Sequence, residues 1–320
     1  IGKSAIAVTV ARYLDDALTK GDAAVTEGTK PGAYFITTQK LLQEQYVSDF
    51  GGACGPMKSI KSSSNFECRF FTKQKCSESL RMVKHETPGS PFFRACVIDC
   101  VYKAAKQEFL NASESVTNFP YLLAESQYAK KITRRNLLVI DECHTAENGL
   151  SKFVEVSFSE RFCGTFLNIE IQNSIHTEKQ VIDWIRNEYM PVLSKKTLSI
   201  GQLFVKYAGI KDKLNELGNY AKQYEKLDKH MCKVNRFLEM YNDTNWVMNI
   251  TTNDRNAGKK IEFKPVDVAP YAENTLFRLG DKILLMSATI MDKDAFCESL
   301  GIKACDAAFV SIPSPFSKDN

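Results

Sequence analysis

The sequence lacks any apolar run approaching the roughly 20 consecutive residues that a helix needs to cross a bilayer. It also lacks the pattern of a secretory signal peptide, because a helical pattern follows Lys3 where an apolar core and a cleavage site would stand. Internal repeats and low-complexity tracts are absent as well. We therefore expect no membrane segment and an intracellular location, cytoplasmic in a bacterial or viral-host context and nuclear in a eukaryote.

A large excess of one charge is missing too. The 42 Lys and Arg residues against 38 Asp and Glu residues leave a formal charge of +4, which by itself does not indicate a nucleic-acid partner. A basic groove is still compatible with a nearly balanced total. The 44% hydrophobic composition is ordinary for a globular protein, and 320 residues suffice for two or three domains.

Three short runs of β-forming apolar residues predict strands, at 33–37, 137–141 and 282–286. A helix from Lys3 to near Gly21 precedes the first run. A helix containing Leu41, Leu42 and Tyr46 should follow it, and another lies around 101–110. The run at 137–141 is continuously apolar, as in a parallel sheet buried on both faces. Strands separated by helices predict an α/β fold with a parallel sheet.

Two stretches interrupt this alternation. Residues 51 to about 100 are rich in Gly, Ser, Lys and Cys and show little periodicity, as in a loop-rich insertion. Residues 151 to about 245 are predicted to be mostly helical, with a long helix or helical hairpin whose apolar seam repeats every seven residues. The seam consists of Leu203, Tyr207, Ile210, Leu214, Leu217, Ala221, Tyr224 and Met231. For the lysines beside it, a solvated face is favoured over a DNA-contacting one.

Polar residues stand at the start of the first predicted helix and at the ends of two predicted strands, where a phosphate site would need them. Gly2, Lys3 and Ser4 open a helix, and they match the end of the phosphate-binding loop GxxxxGK[ST]. In that loop the backbone amides and the lysine bind phosphates, while the hydroxyl binds Mg²⁺. Asp141 and Glu142 end a predicted strand, where Asp141 would hold Mg²⁺ and Glu142 would polarise the attacking water.

Three further side chains are candidates for coupling. His144 follows the acidic pair and would relay the state of the nucleotide, while Ser287 and Thr289 follow the third predicted strand. Each tripeptide alone is weak, because a chance helix start or a helix cap explains it equally well. Their order along the chain, each at the end of an apolar strand or the start of a helix, indicates a nucleotide-driven helicase core.

The chain resembles the superfamily-2 helicases of the DinG/XPD-like group over nearly its whole length. The matching segments are residues 34–45 (YFITTQKLLQEQ), 64–68 (SNFEC), 100–105 (CVYKAA), 118–123 (NFPYLL), 264–269 (KPVDVA) and 314–316 (SPF). The resemblance implies an ATP-dependent 5′→3′ DNA helicase with a RecA-like P-loop NTPase sheet and two insertions. It also implies single-stranded and forked duplex DNA as partners, with Thr38 and Gln39 in the motif that touches the DNA backbone.

Cysteine is the most informative residue type, because five of the ten cysteines lie between residues 54 and 100. In an intracellular protein this clustering favours a metal or cluster site over disulfides. Cys68, Cys76, Cys96 and Cys100 have the spacing C-x7-C-x19-C-x3-C, which places four thiolates for a [4Fe–4S] cluster. Zinc is the alternative metal, although CxxC-like pairs are absent, and four unligated thiols is the third interpretation.

The second ligand is the least certain of the four. The spacing between Cys76 and Cys96 departs from the commoner family pattern, so Cys54 is the alternative, followed by His85. Phe70, Phe71, Lys73 and Lys75 beside these cysteines are candidates for contacts with DNA bases and phosphates. Cys143 is predicted to be a small packing residue and not a nucleophile.

These assignments divide the chain into five parts. Residues 1–50, 104–150 and 261–320 form a first motor domain, 51–103 a Cys-rich cluster insertion and 151–260 a helical arch insertion. The resemblance places further motor motifs outside residues 1–320, so we expect this segment alone to bind nucleotide poorly and not to unwind DNA. The alternatives are a DEAH-type RNA helicase, which the two insertions disfavour, and a cluster- or zinc-stapled nucleic-acid-binding module without ATPase activity.

Overall fold

The main sheet contains five parallel strands. The computed structural model describes residues 2–21, 26–52, 55–70, 75–83, 86–129, 131–207, 214–253 and 258–312. The strands of this sheet are β1 (Lys30–Thr37), β2 (Met57–Ser59), β3 (Glu114–Asn118), β4 (Arg135–Asp141) and β8 (Gly280–Met286), in the order β2-β3-β1-β4-β8. The predicted α/β class and parallel sheet are confirmed, and all three predicted strands are present.

Burial explains why some strands were predicted and others were not. Every residue of β4 is buried, so its run of apolar side chains meets no solvent on either face. Strand β3 is also buried but has the polar sequence ESVTN. Its Ser115 hydroxyl donates to the Phe109 carbonyl and its Thr117 hydroxyl to the Ile60 carbonyl. Because only the tertiary structure brings these carbonyl acceptors to the strand, its burial cannot be predicted from an apolar pattern.

Helices flank the sheet and connect its strands. They are α1 (Lys3–Lys20), α2 (Lys40–Tyr46), α3 (Cys76–Met82), α4 (Pro91–Val97), α5 (Val101–Asn111), α6 (Phe119–Ala124), α7 (Ala146–Val154), α12 (Ala269–Thr275) and α13 (Lys293–Ser299). Helix α1 ends where Gly21 adopts a φ of 81°, as its predicted end requires. In α2 the buried residues are Gln43 and Tyr46, whereas Leu41 is 69% exposed. The helix was therefore predicted, but its buried face was not.

A second, antiparallel sheet has one strand inside the segment that was predicted to be mostly helical and two strands after it. Its strands are β5 (Val156–Ser159), β6 (Trp246–Asn253) and β7 (Gly258–Pro265), in the order β5-β7-β6. The helical prediction was wrong at β5, and β7 runs across the predicted boundary at residue 260. Strand β5 is four residues long and pairs with a strand about 100 positions later, so no local pattern reveals it.

Of the two predicted alternatives, a long helix or a helical hairpin, the structure has the hairpin. The helices between β5 and β6 are α8 (Glu160–Phe162), α9 (Glu178–Trp184), α10 (Met190–Tyr207) and α11 (Leu214–Met240), and a π-helical turn joins α9 to α10. Helices α10 and α11 run antiparallel: the rings of Tyr207 and Tyr220 stack with centroids 5.6 Å apart, and Ser194 contacts Met231 at 3.8 Å. Ile210 of the predicted seam lies outside the described residues.

No helix in the described part of the chain combines the length and apolar composition that a membrane span requires.

The amino-terminal end of the sheet is organised by a buried arginine. Arg135 is 2% exposed, its guanidinium stacks over the Tyr34 ring at 4.3 Å, and it donates to the carbonyls of Ala33, Ser113 and Leu110. These bonds join β1, β4 and the end of α5. Burial lowers the pKa of this guanidinium, with its charge stabilised by carbonyl dipoles.

We predict that Arg135→Met lowers the free energy of unfolding by about 3 kcal/mol, because it strands buried carbonyls that accept from a charged donor. Urea denaturation measures this change. Arg134→Met is the matched control: Arg134 is 42% exposed and pairs with Asp281 at 3.1 Å, so its loss should cost below about 1 kcal/mol. Equal effects of the two substitutions would contradict the role given to Arg135.

Candidate functional site

The candidate site lies at the carboxyl ends of three neighbouring parallel strands. Strands β1, β4 and β8 are adjacent, so the residues that follow them meet at one edge of the sheet. Asp141, the last residue of β4, pairs in register with Met286, the last residue of β8. Ser287, the residue after Met286, therefore lies close to Asp141. Ligands of open α/β sheets bind at this edge.

The amino terminus of α1 reaches the same edge. The Lys3 ammonium forms an ion pair with the Glu142 carboxylate, and its Nζ is 3.7 Å from Asp141 Oδ1. Gly2 precedes the helix with a φ of 86°, a left-handed conformation that suits glycine. Helix α1 therefore directs its free N–H groups and its partial positive charge toward the two carboxylates.

Glu142 has an unusual backbone conformation. Its φ of 53° and ψ of 46° place it in the left-handed region, and it is one of two non-glycine residues with positive φ among those described. This conformation costs a residue with a Cβ about 1 to 2 kcal/mol. Glu142 N donates to Asp141 Oδ1 at 2.9 Å, and Thr145 Oγ1 donates to Glu142 O at 2.8 Å, which hold the turn in place. Strain of this kind is concentrated at functional sites.

His144 connects the acidic pair to the end of β8. Its Nδ1 is 2.8 Å from Ser287 Oγ and 3.4 Å from Glu142 Oε2. Ser287 Oγ in turn lies 3.1 Å from Thr289 Oγ1 and accepts from Thr289 N at 3.1 Å. The three predicted coupling residues thus form one chain of contacts that starts at the Glu142 carboxylate.

Sequence reasoning missed one polar group of this site. Tyr46 was predicted as an apolar position of α2, but its hydroxyl lies 3.5 Å from Asp141 Oδ2, with the Ser4 side chain close by. Burial, together with the nearby carboxylates of Asp141 and Glu142, raises the pKa of Tyr46. The available sequence signal was a tyrosine at a buried position of a helix, since a buried phenol hydroxyl usually finds a partner.

Thr38 and Gln39 lie at the same edge, directly after β1, and both are exposed. The Thr37 hydroxyl donates to the Gln39 carbonyl at 3.1 Å, which shapes the turn into α2. Lys40 donates to Asn65 Oδ1 at 2.8 Å and so ties this turn to the segment that leads into the cysteines. The two predicted DNA-contacting side chains are therefore accessible and beside the candidate site.

The four predicted cysteine ligands lie on separate elements. Cys68 follows a short 3-10 turn, Cys76 begins α3, Cys96 lies in α4 and Cys100 caps α5. The sulfur atoms of Cys76 and Cys100 are 3.3 Å apart, well beyond the roughly 2.05 Å of a disulfide. Burial raises the pKa of the Cys76 thiol, and the neighbouring thiols raise it further. These neighbours are Cys100, Cys96 and Cys68.

The donor set fits an iron–sulfur cluster in its chemistry. Burial, followed by the proximity of Cys68 and Cys100, raises the pKa of Cys96 to about 12, so the Cys96 thiol is protonated near neutral pH unless a metal takes its proton. Within the described ranges, no three His, Cys, Asp or Glu side chains are close enough to share one metal ion. A [4Fe–4S] cubane binds one thiolate at each iron and needs a wider arrangement than a single ion does.

Other predictions about this region stand as follows. Cys54, His85, Phe71 and Lys73 lie outside the described residues. Phe70 packs against Phe92 with ring centroids 5.2 Å apart. Cys143 is fully buried, and burial raises its pKa to about 12. A nucleophilic cysteine needs an accessible thiolate, so these properties agree with a packing residue.

The arrangement at the sheet edge combines a lysine, a hydroxyl, two carboxylates and the amino terminus of a helix. Such a set can bind a phosphate chain with a divalent cation and activate a water molecule. No model of a known protein family matches the chain, and no curated protein matches it.

Proposed function

We propose that the protein is an ATP-dependent 5′→3′ DNA helicase similar to the DinG/XPD-like iron–sulfur helicases. The observation that carries this proposal is the meeting of Lys3, Asp141 and Ser287 at one edge of a parallel sheet, although they lie far apart in the sequence. A RecA-like motor domain with a cluster insertion and an arch insertion is part of the proposal. The five-stranded parallel sheet is consistent with it.

The roles of the site residues follow from their contacts. Bound ATP·Mg²⁺ supplies the phosphoryl group whose transfer to water drives the motor. Ser4 and Asp141 would hold the cation, and Lys3 would exchange its carboxylate partners for the β- and γ-phosphates. Glu142, released from Lys3, would orient the attacking water and accept its proton. Before nucleotide binds, the ion pair with Lys3 would therefore neutralise the Glu142 carboxylate that later acts as the base.

Coupling to DNA would use the residues around His144. Loss of the γ-phosphate alters the charge felt by Glu142, and His144 contacts both Glu142 and Ser287. A change at the carboxylate can therefore reach the end of β8 through side-chain contacts. Thr38 and Gln39 would contact the DNA backbone beside this network.

The second cofactor we propose is a [4Fe–4S] cluster held by Cys68, Cys76, Cys96 and Cys100. It would staple a region with little regular structure of its own. Cys96 also packs with Leu217 and Ala221 of α11, so the cluster region and the helical hairpin support each other. Together they would guide one strand of a forked duplex.

The proposal is tested in the full-length protein and not in residues 1–320 alone, for which we expect no unwinding. The measurements are the ATPase response to single-stranded DNA and to RNA, and the unwinding of a forked DNA duplex. We expect stimulation by DNA and 5′→3′ unwinding. Stimulation by RNA alone would indicate a DEAH-type RNA helicase. Binding of nucleic acid with no ATP turnover would indicate a stapled binding module and overturn the motor assignment.

A further inference from the structure

Helix α2 places a polar group behind the acidic end of β4. Tyr46 is 1% exposed, and its ring packs against Phe35 and Phe50 with centroids 5.6 and 6.0 Å apart. These contacts leave the ring little freedom, so its hydroxyl is fixed beside Asp141 Oδ2 at 3.5 Å. That distance is at the long end of hydrogen bonding. Contacts in apo sites are often long and tighten in the complex.

The same hydroxyl has a second partner, Ser4. The Ser4 side chain lies close to the Tyr46 oxygen. Because the single phenol proton is directed at Asp141, Ser4 can only act as a donor to this oxygen. A serine hydroxyl that binds a cation must present a lone pair to it, so its proton needs an acceptor elsewhere. Tyr46 is placed to be that acceptor.

Asp141 is correspondingly well oriented. Its Oδ1 accepts from Glu142 N at 2.9 Å and lies 3.7 Å from Lys3 Nζ, while Tyr46 approaches its Oδ2. The carboxylate is 7% exposed, so few water molecules can replace these partners. Removing the tyrosine hydroxyl would leave Oδ2 underbonded and the Ser4 proton without its acceptor.

We propose that Tyr46 is a positioning residue for the divalent cation, orienting the Ser4 hydroxyl and the Asp141 carboxylate together. This inference rests on the proposed nucleotide site and deepens it. Groups that hydrogen-bond metal ligands tune affinity strongly, and their removal typically costs about 10- to 100-fold. Tyr46 acts on the cation and not on the phosphates, since neither of its polar partners is Lys3.

The test is Tyr46→Phe in the full chain, which keeps the ring and removes only the hydroxyl. Binding of a fluorescent ADP is measured in EDTA and across a Mg²⁺ titration. We expect unchanged binding in EDTA and an increase of about tenfold or more in the Mg²⁺ concentration for half-maximal enhancement. In a Ser4→Ala background the same substitution should have a smaller effect, because the two side chains share one interaction.

Tyr34→Phe is the matched control. Tyr34 is an equally buried tyrosine on β1, but its hydroxyl donates to Thr133 O at 3.1 Å, away from Asp141. It should not shift the Mg²⁺ dependence. If Tyr46→Phe leaves the Mg²⁺ dependence unchanged, or weakens binding equally in EDTA, the positioning role is wrong and the nucleotide site stands. If the unaltered full-length protein shows no Mg²⁺-dependent ADP binding, the proposed function fails and this inference fails with it.

Discussion

Glu142→Gln should lower the rate of ATP hydrolysis about 10²- to 10⁴-fold, the usual contribution of a general base. Glutamine keeps the size of the side chain and its place beside Lys3, but it cannot accept a proton from water. Nucleotide binding should therefore persist or tighten, because the amide no longer holds Lys3 in an ion pair. Steady-state ATPase assays with single-stranded DNA measure the rate, and titration with fluorescent ADP measures the affinity.

Glu147→Gln is the control for this experiment. Glu147 is an exposed acid in the first turn of α7, five residues beyond Glu142. Its replacement by glutamine removes the same charge from the same region. We expect its ATPase rate to match that of the unaltered chain. Full ATP turnover in Glu142→Gln would defeat the enzyme assignment, whereas a loss of binding together with turnover would indicate that Glu142 serves structure.

Cys100→Ser should remove the proposed cluster and lower the free energy of unfolding by more than about 3 kcal/mol, because binding of a structural metal group contributes directly to folding. The sulfur of Cys100 lies 3.3 Å from that of Cys76, so its replacement affects the positions of two ligands. Anaerobic purification followed by iron and labile-sulfide analysis, a visible spectrum and thermal unfolding gives the result. Cys305→Ser is the control, since Cys305 is exposed.

The same measurements decide between the candidate ligands. If Cys76 is the second ligand, Cys76→Ser loses iron and Cys54→Ser keeps it, and the opposite result would reassign the site. Zinc without sulfide in the unaltered chain would overturn the iron–sulfur assignment. If Cys76→Ser loses the cluster, the apolar group that contains Cys96 and Leu217 should also loosen. Tyr207 and Tyr220 pack against this group, so their near-ultraviolet circular dichroism would detect the change.

Local patterns sufficed where one element carries its own signal. The apolar sequence of β4 predicts a strand buried on both faces, and the seven-residue spacing predicts helix with an apolar seam in α10 and α11, as a long helix or as a hairpin. Gly2, Lys3 and Asp141 could be picked out because phosphate and cation binding restrict residue types to a few at fixed positions. These features depend on residues that are neighbours in the chain or on one face of one element.

Three-dimensional packing supplied the remainder. Strand β5 exists because β7 pairs with it, and β3 is buried although it is polar because its hydroxyls reach distant carbonyls. The left-handed turn at Glu142 and the contact between Tyr46 and Asp141 join groups that no local pattern relates. Hydrogen bonds between segments that are far apart in the sequence form only when the tertiary structure brings those segments together. A window of sequence therefore identifies which chemical groups are present, while folding fixes which of them meet.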